Sequence, residues 1–213
     1  MDELKDLAEK VEKGKHLEAE EATRKALDRG IKPYDVLVNG LQAGLAVVGE
    51  RFKRNECFIP EVLLAARAMH SGMDILRPLL AESGAKPIGK IVLGTVQDDL
   101  HDIGKNMVGM MLEGAGFHVV DMGVNVSVER FVEAVEREEA GILGLSALLS
   151  TTMPNLKTVI EKLEENGLRD KIKVLVGGAP VTEIYAMEIG ADGFAPDAAN
   201  AVDKAKELLK INS

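Results

Sequence analysis

Residues 90–106, KIVLGTVQDDLHDIGKN, decide how the second part of the chain folds. The segment opens with a run of aliphatic residues that is typical of a buried strand, and its middle contains three aspartates and a histidine. The residues that follow, MVGMMLEGAG, are apolar at helical spacing. The segment therefore predicts a strand, a charged loop and a helix in succession.

The same alternation continues to the end of the chain. Further strands are predicted at HVVDMG from His118, GILGLSA from Gly141, KVLVGG from Lys173 and DGFA from Asp192, with helices beginning near Asp102, Val128, Thr152, Val181 and Ala198. Near-continuously apolar strands separated by helices predict a parallel sheet covered on both faces, with right-handed crossovers. We therefore expect a five-stranded, doubly wound α/β domain of the flavodoxin-like or Rossmann-like type.

The first part of the chain has a different pattern. Up to about residue 84, apolar residues recur at intervals of three and four, which predicts a bundle of about four helices. The segment SGAKPIGK, residues 83–90, collects glycine, proline and serine and reads as a linker. We therefore predict a helical domain over residues 1–84 and an α/β domain over residues 85–213.

Composition limits the possible partners and location. The 213 residues carry a formal net charge of −9, which argues against nucleic acid or an anionic membrane as a partner. The N-terminal segment lacks the apolar core of a signal peptide, and we see no apolar run long enough for a membrane span. Cys57 is the only cysteine, so no disulfide can form within the chain. We expect a soluble, cytoplasmic protein.

The loop after the first α/β strand carries the strongest chemical signal, because ligands of such sheets bind at the carboxyl ends of the strands. One interpretation is structural: Asp102 caps the next helix, and the other charged side chains are solvated. The other is that His101 binds a metal while Asp99 holds its far ring nitrogen. One protein nitrogen is a poor metal site, so a macrocycle would have to supply the remaining ligands.

Two further loops follow strands at the same predicted edge. LSALLSTTMPN presents small hydroxyl residues that could cap a helix or line a narrow pocket. We expect at least one of them to be a helix cap. They are Ser146, Ser150, Thr151 and Thr152. In GGAPVT, Gly177 and Gly178 would let a ligand approach the backbone closely.

In this order and spacing, these loops resemble the cobalamin-binding module of methionine synthase and of the corrinoid proteins of anaerobic methyltransferase systems. The family signature, Asp-x-His-x-x-Gly, Ser-x-Leu and Gly-Gly, falls on Asp99, His101 and Gly104, on Ser146 and Leu148, and on Gly177 and Gly178. The segment GERFKRNECFIPEVLLAARAM resembles the helical cap of the family. The resemblance covers essentially the whole chain.

The resemblance implies a role for each matching residue. His101 would be the lower axial ligand of cobalt in a cobalamin or related corrinoid bound base-off, with its own benzimidazole displaced. Asp99 and Thr152 would form a hydrogen-bond relay to the histidine. Phe52 and Ile59 would cover the upper corrin face, although bundle core is the alternative for both. The remaining residues that the resemblance places around the cofactor are Asp98, Leu100, Asp102, Gly104, Ser146, Leu148, Ser150, Gly177, Gly178 and Ala198.

Two positions depart from the family pattern. Asp98 stands where the family commonly has glycine, and Cys57 stands where an aromatic or other apolar residue is usual. We expect Asp98 to add negative charge beside the relay. We expect Cys57 to be a small buried apolar residue, with a reactive thiol as the alternative.

The resemblance implies a carrier that is not catalytic alone. Cobalt would cycle between cob(I)alamin and methylcob(III)alamin, taking a methyl group from a substrate-specific methyltransferase. A second methyltransferase would pass the group to a thiol or to tetrahydrofolate, and a reductive activase is a further expected partner. The alternatives are a cobalamin-dependent sensor and, apart from the resemblance, a flavodoxin-like or receiver-like domain. Methanol, methylamines, methoxylated aromatics and glycine betaine all remain open as donors.

Overall fold

The structure is a computed structural model that describes residues 2–84 and 86–211. The chain divides into two compact units. The first extends from the N-terminus to Pro87 and includes Gly114–Gly116, and the second comprises Ile88–Glu113 and the chain from Phe117 onward. Among the described residues, no helix combines the length and the apolar character needed to cross a membrane.

In the described part of the first unit, all regular secondary structure is helical. They are α1 (Asp2–Glu12), α2 (His16–Asp28), a continuous helical stretch made of α3 (Pro33–Val36), a π-helical segment (Leu37–Gln42) and α4 (Ala43–Lys53), and α5 (Ile59–Glu82). Pro60 lies in the first turn of α5, where its missing N–H costs least, and the Glu61 side chain accepts a hydrogen bond from Phe58 N–H at 2.7 Å. The predicted helical region of about four helices is confirmed.

The second unit alternates strands and helices. The strands are β1 (Lys90–Thr95), β2 (His118–Asp121), β3 (Ile142–Ser146), β4 (Lys173–Gly177) and β5 (Gly193–Ala195). The helices are α6 (Ile103–Gly114), α7 (Val128–Glu138), α8 (Pro154–Glu165), α9 (Glu183–Glu188) and α10 (Ala198–Leu208), with a 3-10 turn at Arg169–Lys171. Each prediction of a strand is confirmed, although β2 ends two residues before the predicted segment does.

All strand pairs are parallel, in the order β2-β1-β3-β4-β5. This is the flavodoxin-like order, so the predicted doubly wound sheet is confirmed. The strand order reverses between β1 and β3, and ligands of open α/β sheets bind at that point, outside the carboxyl ends of the strands. The loops after β1 and β3 therefore lie side by side, as the pairing of Thr95 with Ser146 at the strand ends requires.

The core of this unit explains why the strands are so uniformly aliphatic. Val92 on β1, Leu143 on β3 and Val174 on β4 are completely buried. Phe131, on the apolar face of α7, is also completely buried, and its ring lies so close to Gly94 that a Cβ at that position would be 2.6 Å from it. The absence of a side chain at Gly94 thus lets α7 pack closely on β1.

Candidate functional site

The charged loop after β1 is held by hydrogen bonds from three other segments. Asp98 N–H donates to Asn125 Oδ1 at 2.8 Å, and Asn125 N–H donates to the Asp99 carbonyl at 2.9 Å. Asn155 Nδ2 donates to the Gln97 carbonyl at 2.7 Å, and Thr95 Oγ1 donates to the His101 carbonyl at 2.9 Å. Three of these residues, Thr95, Asn125 and Asn155, were not predicted from the sequence, where each is simply a polar residue near the end of a strand or at the start of a helix.

Asp99 lies at the centre of this loop. Its side chain is completely buried and accepts four hydrogen bonds. Oδ1 accepts from the backbone N–H of His101 at 3.1 Å and lies 2.7 Å from His101 Nδ1. Oδ2 accepts from Leu148 N–H and from Thr152 Oγ1, both at 2.7 Å. The interpretation of this aspartate as a solvated loop residue is therefore wrong.

These donors determine the charge of Asp99. Burial by itself would raise the pKa of the carboxyl, but the hydrogen bonds from Leu148 N–H, Thr152 Oγ1 and His101 outweigh it. Together they hold the pKa of Asp99 well below its usual range. Asp99 is thus an anion at neutral pH, and every donor around it points at a negative charge.

The ionised carboxylate assigns the tautomer of His101. An anion accepts hydrogen bonds and donates none, so the proton of a neutral imidazole is placed on Nδ1, facing Asp99. Nε2 then carries a lone pair, and the His101 side chain is 49% exposed. The arrangement presents one oriented nitrogen donor, Nε2. A carboxylate bound to the other ring nitrogen, as Asp99 is here, is the usual partner of a metal-ligating histidine.

The loop after β3 supplies the hydrogen-bond donors to Oδ2 of Asp99. Thr152 is buried, and its hydroxyl lies 2.7 Å from Asp99 Oδ2 and 2.9 Å from the Leu149 carbonyl. A hydroxyl has one proton to donate, and the shorter contact with an anion is the stronger one. The expectation that a hydroxyl caps the next helix is wrong, because Met153 precedes α8 and makes no capping bond with its side chain. Thr152 is directed to Asp99 instead.

The other hydroxyl residues of this loop differ from one another in exposure. Ser146, the last residue of β3, is half-buried, whereas Ser150 and Thr151 are exposed. Asp102 immediately precedes α6, and its Oδ2 accepts from Asn106 Nδ2 at 3.1 Å. The exposed residues also include four aliphatic side chains of the two loops and the start of α6. They are Leu100, Ile103, Leu148 and Leu149.

The two glycines after β4 differ in surroundings. Gly177 ends β4, and its carbonyl accepts from Ala147 N–H at 3.1 Å. Gly178 has a φ of 127°, and a Cβ there would lie 1.9 Å from the Ala147 carbonyl oxygen. Gly104, in the first turn of α6, has open space around it. Ala198, at the start of α10, is buried.

Three residues of interest lie in the helical unit. Phe52 on α4 is half-buried, and Ile59, the first residue of α5, is 43% exposed. Ile59 is therefore not a fully buried residue of the bundle core. Cys57 is 2% exposed, which confirms the prediction of a small buried residue.

A buried lysine that was not predicted from the sequence lies in the first turn of α6. The Lys105 side chain is 1% exposed, and its Nζ forms an ion pair with Asp121 at the end of β2. Nζ also donates to Asn106 Oδ1 at 2.6 Å. In the sequence, Lys105 is marked only by its position on a mostly apolar helix. Among the described residues, no three His, Cys, Asp or Glu side chains are grouped as a metal site.

The model of a B12 binding domain matches residues 89–205, and a second B12 binding domain model matches residues 3–77. The chain belongs to the B12-binding family. The resemblance read from the signature loops is thereby confirmed, and this B12-binding protein carries both parts of the module.

Curated relatives agree with this assignment. A dimethylamine corrinoid protein of Methanosarcina barkeri is 49% identical over 181 residues, which are 84% of each chain. A corrinoid protein of Desulfitobacterium hafniense (strain Y51) is 46% identical over 192 residues, or 89% of each chain. These shares mean that the similarity extends across both units of the protein.

Two solved structures share the fold. A cobalamin-binding protein from Desulfitobacterium hafniense DCB-2 is 32% identical, with a TM-score of 0.80 over 96% of this chain and 98% of that one. The methanol:cobalamin methyltransferase complex from Methanosarcina barkeri contains a chain that is 31% identical, with a TM-score of 0.84 over 97% of this chain and 79% of that one.

Proposed function

We propose that this corrinoid protein carries a methyl group on cobalt between a substrate-specific methyltransferase and a second methyltransferase. A bound corrinoid would supply the cobalt that takes up and releases the methyl group. The second transferase would deliver that group to a thiol or to tetrahydrofolate. The observation that carries the proposal is the buried, ionised Asp99, which lies 2.7 Å from Nδ1 of the half-exposed His101 side chain and so leaves Nε2 as the nitrogen with the lone pair.

His101 would be the lower axial ligand, in place of the base of the corrinoid itself. Its Nε2 is the only donor that the site needs, because the macrocycle provides the equatorial ligands. Leu100 precedes His101 in the chain, and Leu148 donates its N–H to Asp99. Both have exposed side chains, which offer apolar surface to a large ring. The residues present therefore fit a corrinoid.

Asp99 and Thr152 would act on this nitrogen through the imidazole. The carboxylate holds the proton on Nδ1 and increases the electron density that Nε2 can donate. The hydroxyl of Thr152 and the N–H of Leu148 keep the carboxylate ionised.

The other signature residues would border the cofactor. We place its nucleotide tail along Ser146, Ser150, Gly177, Gly178 and Ala198. We assign Phe52 and Ile59, which retain exposed surface, to cover the upper corrin face.

Residues 1–84 would form the cap domain and residues 85–213 the cofactor domain. Movement at residues 83–90 would open the upper face to a partner.

The relatives support a methyltransferase partner and a methylated amine as donor. The relatives called dimethylamine corrinoid proteins reach 50% identity, whereas the chain of the methanol:cobalamin methyltransferase complex is 31% identical. Methyl transfer from dimethylamine, methanol or glycine betaine, each with its own methyltransferase, would identify the donor. The expected result is the fastest transfer with dimethylamine.

The ligand assignment can be tested by electron paramagnetic resonance of the corrinoid-loaded protein in its paramagnetic cobalt state. Protein labelled with ¹⁵N-histidine should show a two-line splitting from the axial nitrogen, and unlabelled protein a three-line splitting. His101→Ala should lose the label-dependent splitting, and His118→Ala, at an exposed residue of β2, should keep it. A three-line pattern in labelled wild-type protein would mean that the corrinoid keeps its own base, and the proposal would fail.

A further inference from the structure

The peptide group between Ala147 and Leu148 has a contact on each side. Its N–H, from Leu148, donates to Asp99 Oδ2 at 2.7 Å. Its carbonyl, from Ala147, faces Gly178, where a Cβ would lie 1.9 Å from the oxygen and 2.7 Å from the carbonyl carbon. Because a trans peptide is planar, with N–H and C=O pointing in opposite directions, the two contacts are ends of one rigid group.

The neighbouring backbone holds this peptide in place. Ala147 is completely buried, and its N–H donates to the Gly177 carbonyl at 3.1 Å. The Gly178 carbonyl accepts from Val181 N–H at 3.0 Å, so the turn that carries Gly178 is itself fixed. The three atoms nearest to a Cβ at residue 178 are all backbone atoms of Ala147, which no change of rotamer can move aside. The peptide would have to rotate.

We propose that Gly178 is a positioning residue for Asp99 and His101, acting through the orientation of the Ala147–Leu148 peptide. Rotation of that peptide to clear a side chain at residue 178 would turn Leu148 N–H away from Asp99 Oδ2. The carboxylate would lose one of its two donors on that oxygen and its fixed direction toward His101 Nδ1. Gly178 thereby serves the axial histidine in addition to any contact with the cofactor.

The role of Gly178 at the cofactor rests on the proposed function, since it concerns the same His101 site. The coupling of Gly178 to Asp99 through the peptide group applies equally to the cofactor-free protein. It can therefore be tested without a corrinoid, and a wrong ligand assignment would leave that test valid.

The first experiment compares Gly178→Ala with wild type by nuclear magnetic resonance of the cofactor-free protein. In wild type, the Leu148 amide proton should be shifted far downfield, as expected for a short bond to a carboxylate. In Gly178→Ala it should move upfield and exchange with solvent about tenfold faster, which corresponds to about 1.4 kcal/mol. The ¹⁵N shift of His101 Nδ1 should change with it. Unchanged Leu148 and His101 signals in folded Gly178→Ala would overturn the inference.

The matched control is Gly167→Ala. Gly167 also has a positive φ, of 66°, but a Cβ there has open space, so this variant carries the backbone strain without the clash. It should leave the Leu148 and His101 signals at their wild-type positions. If Gly167→Ala moved them as much as Gly178→Ala does, general destabilisation would explain the effect and the inference would fail.

A reciprocal experiment decides the question if Gly178→Ala does not fold. In Asp99→Ala the peptide loses its acceptor, so the Ala147 carbonyl carbon and the Gly178 α-carbon should both shift along with the Leu148 amide. A response at Leu148 without one at Ala147 and Gly178 would overturn the inference. Corrinoid loading of the wild type, measured separately, distinguishes failure of the proposed function: no His101-bound corrinoid would refute that function and leave the peptide coupling standing.

Discussion

At the residue scale, backbone conformation explains why aspartate stands at position 98. Asp98 has a φ of 63°, in the left-handed region that glycine adopts freely and that aspartate and asparagine tolerate better than other residues. The resemblance indicated glycine here, and both residue types meet this requirement. The Asp98 side chain is exposed, and its backbone N–H donates to Asn125 Oδ1. Asp98 therefore contributes to the loop through its backbone.

Substitutions at residue 98 should therefore follow backbone preference and not charge. Asp98→Gly should change the free energy of unfolding by less than about 0.5 kcal/mol, because relief of strain offsets the added chain entropy. Asp98→Val should lower it by about 1–2 kcal/mol. Urea denaturation measures both, and Gln97→Val, at an exposed neighbour, is the control that should be nearly neutral. Equal stabilities of the Gly and Val variants would contradict the explanation.

Thr152 contributes through its hydroxyl. Thr152→Val keeps the shape but leaves the buried Asp99 carboxylate without one donor, so the free energy of unfolding should fall by about 1.5–3 kcal/mol. Thr152→Ser keeps the donor and should lose less. The control is Thr158→Val, at an exposed residue of α8 whose hydroxyl donates to the Pro154 carbonyl at 3.2 Å, and it should be close to wild type. A Thr152→Val variant as stable as this control would exclude a strong bond to Asp99.

Cys57 should be unreactive at neutral pH. Burial raises the pKa of its thiol, and the nearby Glu61 carboxylate raises it further. Because the thiolate is the reactive form, a raised pKa means that less thiolate is present at any given pH than in the unfolded chain. Alkylation of the native protein should therefore begin at a higher pH than alkylation of urea-unfolded protein, across about pH 7 to 10. Coinciding pH profiles would contradict this prediction.

At the scale of elements, the ion pair between Lys105 and Asp121 joins the start of α6 to the end of β2. The lysine side chain is 1% exposed and the aspartate side chain 47% exposed, so the cost of breaking the pair falls on the lysine. A buried ammonium without its carboxylate is strongly destabilising, whereas an apolar side chain in its place is often tolerated. The pair thus fixes the helix that immediately follows the His101 loop.

This asymmetry predicts that the two halves of the pair are not equivalent. Asp121→Ala should lower the free energy of unfolding by about 2–3 kcal/mol, less than for a fully buried pair because Asp121 is half-exposed. Adding Lys105→Met should recover part of the loss, a non-additivity that a double-mutant cycle measures. Glu165→Ala, which breaks an exposed pair with Lys162, should cost less than about 0.5 kcal/mol. Strict additivity would show that the lysine does not depend on Asp121.

At the scale of the whole molecule, residues 83–89 connect the last helix of the first unit to the first strand of the second. The described residues of this segment form turns and irregular backbone, and most are exposed. Segments of this kind are cut first by proteases. Brief digestion with subtilisin, followed by mass spectrometry, should therefore produce two fragments that separate within residues 83–89. A first cut inside α5 or β1 would contradict this expectation.

Periodicity and the signature loops were enough to predict the helical region and the five parallel strands. Patterns of apolar residues report which side of an element is buried, and the carboxyl-edge rule locates the loops. The start of α8 was predicted two residues too early, at Thr152, because its hydroxyl resembled a helix cap. In the structure that hydroxyl donates to Asp99, so a tertiary hydrogen bond replaces the capping bond that local preference predicts.

The sequence by itself determined which loops meet, and the tertiary structure alone decided which atoms within them bond. Leu148 acts through its backbone N–H, Gly178 through the absence of a side chain beside Ala147, and Lys105 through burial against Asp121. None of these features depends on a pattern in the neighbouring residues. The first arises because the strand order places β1 beside β3, which brings donors 49 and 53 residues away to a single buried carboxylate. The second arises because β3 lies beside β4, and the third because Lys105 on α6 reaches the end of β2.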